Sequence, residues 1–258
     1  RFTALPQDSF DDLGRFGDDE GGGDNGEPPV LGQCGETATL ISSIQGDGDT
    51  SPLEGETVRV EAIVSAVVPG LDGFYLEEGT ADQDDNPATS EGLFVFAPDE
   101  TVEQGQRIRL AGTAGEFFGK TQVNELTGLT RCDPGTLPEP ATLTLPVDDM
   151  SQFESLENQR VRLDQTLTVT ETYNLGRFGE VVLSDGRLFN PTQVAMPGAS
   201  AQSVAERNDR SRIVLDDGST EQNPEPIPYP ASGLDANNTL RLGDITEQVS
   251  GVLDFGFG

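Results

Sequence analysis

The chain carries a β-strand pattern twice, and the second copy stops one strand short. From Gly55 to Cys132 the residues read as five strands of a small closed barrel. From Arg160 the same order of elements begins again, but the sequence reaches Asp254-Phe255-Gly256-Phe257-Gly258 where a fifth strand is due. A barrel short of one strand leaves backbone donors and acceptors without partners at a seam, costly when buried and adhesive when exposed. The pattern therefore predicts that something fills the gap.

The individual segments carry this reading. Thr57 to Val68 alternates valine and isoleucine with Arg59, Glu61 and Ser65, which is strand periodicity. Gly73 to Glu77, Leu93 to Phe96, Gln106 to Phe118 and Lys120 to Arg131 complete the first set. Gly112 and Gly115 suit a bulge that lets the fourth strand turn a barrel corner. In the second set, long strands are expected at Arg160 to Glu171 and Ile245 to Phe255, with shorter ones at Glu180 to Ser184 and Arg212 to Leu215. Ala199 to Arg210 is the best helix candidate. This is all-β architecture: two tandem OB-like Greek-key barrels, the second lacking its fifth strand. The expected organisation is an extended Gly/Asp-rich tail over residues 1–33, barrel one over 34–133, a Pro-rich linker over 134–146 and an incomplete barrel two over 147–258.

Composition narrows the partners. There are 46 acidic residues against 15 basic ones, and Lys120 is the single lysine, so the formal net charge is −31. Such a surface repels nucleic-acid phosphates and anionic lipids, whose binding rests on Lys and Arg displacing counterions. It suits solubility in salty water, where screening removes self-repulsion, and it is compatible with divalent cations. No apolar run approaches a membrane span. The start at Arg1 without Met or signal peptide reads as a processed, secreted chain from a marine or halophilic bacterium. In that setting Cys34 and Cys132 are expected to form one disulfide joining the entry of barrel one to its exit, worth ~4 kcal/mol by chain entropy.

Several stretches in collinear order resemble the non-catalytic region of secreted ExeM/NucH-type extracellular endonucleases. They include Ile41-Ser42-Ser43-Ile44-Gln45-Gly46, Ser51-Pro52-Leu53-Glu54-Gly55, Thr89-Ser90-Glu91-Gly92-Leu93-Phe94-Val95 and Gly179-Glu180-Val181-Val182-Leu183-Ser184. Asn190-Pro191-Thr192-Gln193-Val194, Ile213-Val214-Leu215-Asp216-Asp217 and Gly251-Val252-Leu253-Asp254-Phe255 belong to the same set. The resemblance implies an OB-rich secreted protein. It carries no active site over, because that family's DNA-cleaving domain depends on catalytic histidines and this chain has no His.

The absence of His also excludes a Cys/His zinc site and a His-dependent triad. Paired carboxylates occur throughout so acidic a chain, so none stands out as a general acid and base. No catalytic residue is assigned and no enzyme is expected. Asp82, Asp84, Asp85 and Asn86 offer the oxygen ligands that Ca²⁺ takes, although the loop lacks the twelve-residue EF-hand pattern. The competing reading is a solvated turn, and no cofactor is required. Phe74, Tyr75, Phe94, Phe96, Phe117 and Phe118 supply aromatics, but no basic groove accompanies them. The motif Leu-Gly-Arg-Phe-Gly occurs at Leu13 to Gly17 and again at Leu175 to Gly179.

The expected function is a secreted, non-catalytic structural subunit that assembles with itself into an extracellular filament or polymer. The N-terminal residues Phe2, Thr3, Ala4 and Leu5 of one copy would add as a donor strand to the open seam of the next, near Val252, Leu253, Phe255 and Phe257. The alternative is a DNA-binding or substrate-positioning module of a secreted nuclease, with nucleic acid bridged by divalent cations.

Overall fold

In the computed structural model, residues 31–256 are described; Phe2, Thr3, Ala4, Leu5, Phe257 and the first Leu-Gly-Arg-Phe-Gly copy lie outside them. The described residues are mostly strands in several sheets with few helices, so the all-β expectation holds.

The first half opens with a short helix, α1 (Ile41–Gln45), followed by β1 (Thr57–Val68), β2 (Gly73–Glu77), β3 (Gly92–Phe96), β4 (Arg107–Phe117) and β5 (Lys120–Arg131). β1 pairs antiparallel with both β2 and β4, β2 with β3, β4 with β5, and β3 runs parallel to β5. The pairings close on themselves in the order β1-β2-β3-β5-β4, a closed barrel with no free edge. Alternate residues of these strands, among them Val58, Val60, Leu76, Leu93, Val95, Ile108 and Leu110, fill its interior. Ile41 and Ile44 of α1, three residues apart and fully buried, join that core. The helix was absent from the sequence reading, since five residues give too little periodicity to register.

At Gly112 the register of β4 against β5 shifts, and an added Cβ there would lie 2.6 Å from the Asn124 carbonyl oxygen. The expected bulge falls on this glycine because only a residue without a side chain lets the two backbones approach so closely.

The second half contains β6 (Ala141–Thr142), α2 (Ser151–Glu154), β7 (Arg160–Leu163), β8 (Leu167–Glu171), α3 (Leu175–Phe178), β9 (Val181–Ser184), α4 (Pro191–Val194), α5 (Ala199–Arg210), β10 (Arg212–Leu215), β11 (Ile245–Thr246) and β12 (Val249–Val252). They form two sheets, β10-β9-β8-β11 and β12-β7-β6. The two long strands expected here are each broken. Arg160 to Glu171 divides at 164–166, where the Gln165 amide bonds both backbone groups of Leu145. Ile245 to Phe255 divides at Gln248, which sits at φ +58, outside the strand region. Each break carries the chain from one sheet to the other. The segment expected as a linker is also built in: β6 pairs with β7, and Leu143, Leu145 and Val147 are buried in the second core.

One backbone arrangement occurs in both halves. In the first, Glu54 N–H donates to Ser51 O and Glu56 N–H to Leu53 O, with Gly55 at φ +82. Gly55 N–H then donates to Ala114 O, and Ala114 N–H returns to Glu56 O. In the second, Glu157 N–H donates to Glu154 O and Gln159 N–H to Leu156 O, with Asn158 at φ +62. Asn158 N–H donates to Leu253 O, and Leu253 N–H returns to Gln159 O. Leu253 thus holds in the second half the place of Ala114 in β4.

Candidate functional site

Two features separate the halves: strand edges left open in the second, and a polar joint that fastens it to the first. In the first half β5 lies between β3 and β4. Among the described residues no strand occupies that place in the second half: β10 pairs only with β9, and β12 only with β7. β10 alternates exposed Arg212 and Val214 with half-buried Ile213 and Leu215, and among the described residues β9 is its one strand neighbour. Part of the second core is sheltered by the long loop after β10, which contributes Ile227, Tyr229, Leu234 and Leu240.

Of the residues expected to take part in assembly, Val252 is half-buried on edge strand β12, opposite Arg160. Leu253 packs on the second core. Phe255 is half-exposed, and its ring lies against the β4–β5 turn, where a Cβ at Gly119 would come within 3.0 Å of it. The structure therefore brings Leu253 and Phe255 to the joint and leaves Val252 at an edge.

The joint is built largely from backbone contacts to polar side chains. Residues Asn158 and Gln159 cross directly over Gly92, where an added Cβ would stand 2.3 Å from the Asn158 carbonyl carbon. Glu77 on β2 is buried and receives Arg160 through its backbone N–H at 2.6 Å and its guanidinium at 3.0 Å. Burial pushes the Glu77 carboxyl up, opposed by Arg160. Lys120 is buried at the start of β5, with its ammonium 4.0 Å from the Phe94 ring centroid and 3.2 Å from Asp254. The Tyr75 phenol beside it is held far above its ordinary range by burial first and by Asp254 second. On the other side of the same strand, Thr121 meets three residues. Its N–H donates to Glu157 at 3.3 Å, its hydroxyl to Glu116 at 2.8 Å, and its carbonyl accepts the Asn158 amide at 3.0 Å.

Cys34 and Cys132 are joined as a disulfide, Cα–Cα 5.8 Å, across 98 residues. Arg109 secures the same entry from within. Its guanidinium, 1% exposed, donates to the carbonyls of Leu31, Glu36 and Thr37 at 2.7–2.8 Å and pairs with Glu61 at 3.0 Å. Strand alternation places Arg109 outside the barrel. It is buried because residues 31–37 fold over it, a contact that no local pattern announces.

Asp82, Asp84, Asp85 and Asn86 lie exposed in the loop between β2 and β3. The Asp84 carboxylate accepts from Asn86 N–H and Thr89 Oγ1, and Glu91 accepts Asp84 N–H at 2.7 Å. The loop is thus braced by its own acceptors. Among the described residues there is no group of three or more acidic or cysteine side chains arranged to hold a metal ion. No described helix is long and apolar enough to cross a membrane.

A cleft of about 390 Å³ lies between β8, β10 and the two helices α4 and α5, lined by Arg187, Phe189, Asn190, Asn208 and Arg212 among others. Arg187 stands 5.3 Å from the Phe189 ring centroid, while Arg212 is paired with Asp209.

Sequence reasoning missed Glu157, Asn158, Gly92 and Arg160 as a group. The signal was present in the recurrence of Leu53-Glu54-Gly55 as Leu156-Glu157-Asn158, each followed by a strand with Val-Arg. Comparison with known proteins adds a match of residues 136–258 to the model of a domain of unknown function (DUF8508). No curated protein and no solved structure matches the chain.

Proposed function

We propose that this chain is a secreted, non-catalytic structural subunit that assembles with copies of itself by strand addition. In this reading both halves are OB-like. Taking β7 with β8 as one bent first strand and β11 with β12 as one bent fourth strand, the second half has the order of the first with its fifth strand left out. The observation that carries the proposal is the edge of β10, which no other strand among the described residues occupies and where the first half has β5. Residues Phe2, Thr3, Ala4 and Leu5 of a second copy fill that place, giving main-chain hydrogen bonds along β10 and β12 and sending alternate side chains toward the second core. A contact of this heterologous kind closes a ring or propagates as a filament. The Cys34–Cys132 disulfide suits an oxidising, extracellular setting. A net charge of −31 per subunit requires salt or divalent cations such as Ca²⁺ to screen neighbouring copies. Light scattering of the chain lacking residues 1–7 tests the proposal: loss of polymer mass is expected, and unchanged mass overturns it.

A second reading, an accessory module of a secreted nuclease, is favoured by the cleft that sets Arg187 over Phe189 beside Arg212. It predicts single-stranded DNA binding at low salt that Arg187→Ala weakens, with divalent cations strengthening it. No retention of DNA at low salt, with or without those cations, rejects it.

A further inference from the structure

Glu157 stands where two halves of one molecule press a carboxyl into a place without a cation. It is 3% exposed, and one of its carboxyl oxygens, Oε1, is buried without a well-formed hydrogen bond, the Gln45 amide near it donating to the Gly92 carbonyl at 2.6 Å. Glu116 Oε2 and Asn158 Oδ1 are also buried with no hydrogen-bond partner. These three orphan acceptors belong to the three side chains that converge on Thr121. A buried acceptor left unpaired is expensive, and a buried charge more so. No ion pair reaches Glu157 among the described residues: Lys120 is turned toward Asp254 and Arg160 is spent on Glu77.

Groups from several elements act on Glu157. Its own turn contributes Glu154, β4 contributes Glu116, α1 contributes the neutral Gln45 amide, and β5 the Thr121 N–H. Asp49, from the loop after α1, adds negative charge at Glu154, and the neutral Tyr75 phenol lies within electrostatic reach from β2. The surroundings are thus acidic or neutral on every side. The equivalent turn in the first half gives the control. Glu54, in the same backbone position, is exposed to water and has no barrel over it.

We propose that the joint between the halves is proton-linked: Glu157 is held there as the neutral acid, and its ionisation loosens the joint. As the acid, Glu157 keeps its bond from Thr121 N–H, gains an O–H donor on the orphan side and faces Glu116 and Glu154 without repulsion. As the carboxylate it is a buried charge beside two others. Burial first, then Glu154, raise its pKa from the ordinary carboxyl value to about 8. A group raised in this way favours the closed joint most fully below about pH 4.5, and the contribution is lost as pH climbs to about 8. The inference stands apart from strand addition, which concerns β10 at another edge.

Amide hydrogen exchange on the full chain tests it, with Thr121 and Asn158 as reporters and Val60 in β1 as the reference. After correction for the intrinsic rise of exchange with pH, protection of Thr121 and Asn158 is expected to fall by about tenfold or more between pH 6 and pH 8 through opening of the joint, while Val60 follows only the loss due to Glu78 and Glu91 and does so equally in Glu157→Gln. Glu157→Gln, a neutral isostere, should abolish that fall. Glu116→Gln keeps the test open if the first variant folds poorly, and should shrink the fall by removing one repelling charge. An unaltered pH dependence in Glu157→Gln overturns the proposal. So does Ca²⁺ at millimolar concentration restoring protection at pH 8 in the unsubstituted chain but not in Glu157→Gln, because the joint would then be closed by a cation rather than by a proton.

Discussion

The turn at Leu53–Glu56 and the turn at Leu156–Gln159 have the same backbone hydrogen bonds and the same left-handed third residue, yet they live in different solvents. Glu54 faces water, whereas Glu157 faces a strand of the other half. The comparison extends to the halves they introduce. The first is a closed barrel that supplies nine of the twelve largest fully buried side chains, from Ile41 to Leu110. The second supplies Leu163, Leu167 and Leu183, and among the described residues its two sheets do not close on each other. The lesson is that a repeated local pattern fixes the turn and the strand, while closure and burial depend on what the rest of the chain brings to it. The first half closes on its own strand pairings, and the second is fastened to it at Gly92, Glu77, Lys120 and Thr121.

That asymmetry can be broken at four points. The largest effect is expected from Cys34→Ser with Cys132→Ser, which frees a loop of about 100 residues and should cost about 4–5 kcal/mol in denaturant unfolding. If the first half is self-sufficient, the loss appears there, and the second half unfolds with it because the joint loses its platform. Arg109→Met strands Glu61 and three carbonyls and is expected to cost about 3–5 kcal/mol by the same measurement, with faster proteolysis near Leu31 to Thr37. A cost near zero would mean that the disulfide alone holds the entry.

Gly92→Ala acts on the joint and on neither core. Its methyl group meets the backbone of Asn158 and Gln159, so the expected cost is about 2 kcal/mol, with faster hydrogen exchange at Asn158. Unchanged exchange there would show that the halves are fastened elsewhere. The smallest effect is in pH. Burial raises Glu78 and Glu91 of the first half to about 7 and Glu157 to about 8. All three favour the folded state at low pH and lose that contribution as pH rises through those values. The thermal midpoint should therefore drop by roughly 2–4 °C from about pH 7.5 to about pH 9 at constant salt. Glu157→Gln should remove only its own share, leaving the part due to Glu78 and Glu91.

Much of this was legible beforehand. The alternation in Thr57 to Val68 and Lys120 to Arg131 gives β1 and β5 their observed bounds, and Ala199 to Arg210 forms the expected helix. The breaks at 164–166 and Gln248 were not legible, since they follow from where two sheets part. The 134–146 segment reads as a linker by its prolines, yet Leu143 and Leu145 are buried because β7 offers an edge to pair with. Of the candidate site residues, Cys34 and Cys132 could be read from their positions around barrel one. Phe255 could not be placed against Gly119 from sequence.

By itself, then, the sequence determined the five strands of the first half, the bulge at Gly112, the pairing of the cysteines and the repetition of the Leu-Glu turn, because these rest on alternation, on the absence of a side chain and on short-range hydrogen bonding. Only the tertiary structure decided that Arg109 and Glu157 are buried, that Lys120 faces Phe94 and Asp254, and that β10 has no second strand neighbour among the described residues. Each of those depends on a segment distant in the chain arriving at, or missing from, a surface that local chemistry leaves open.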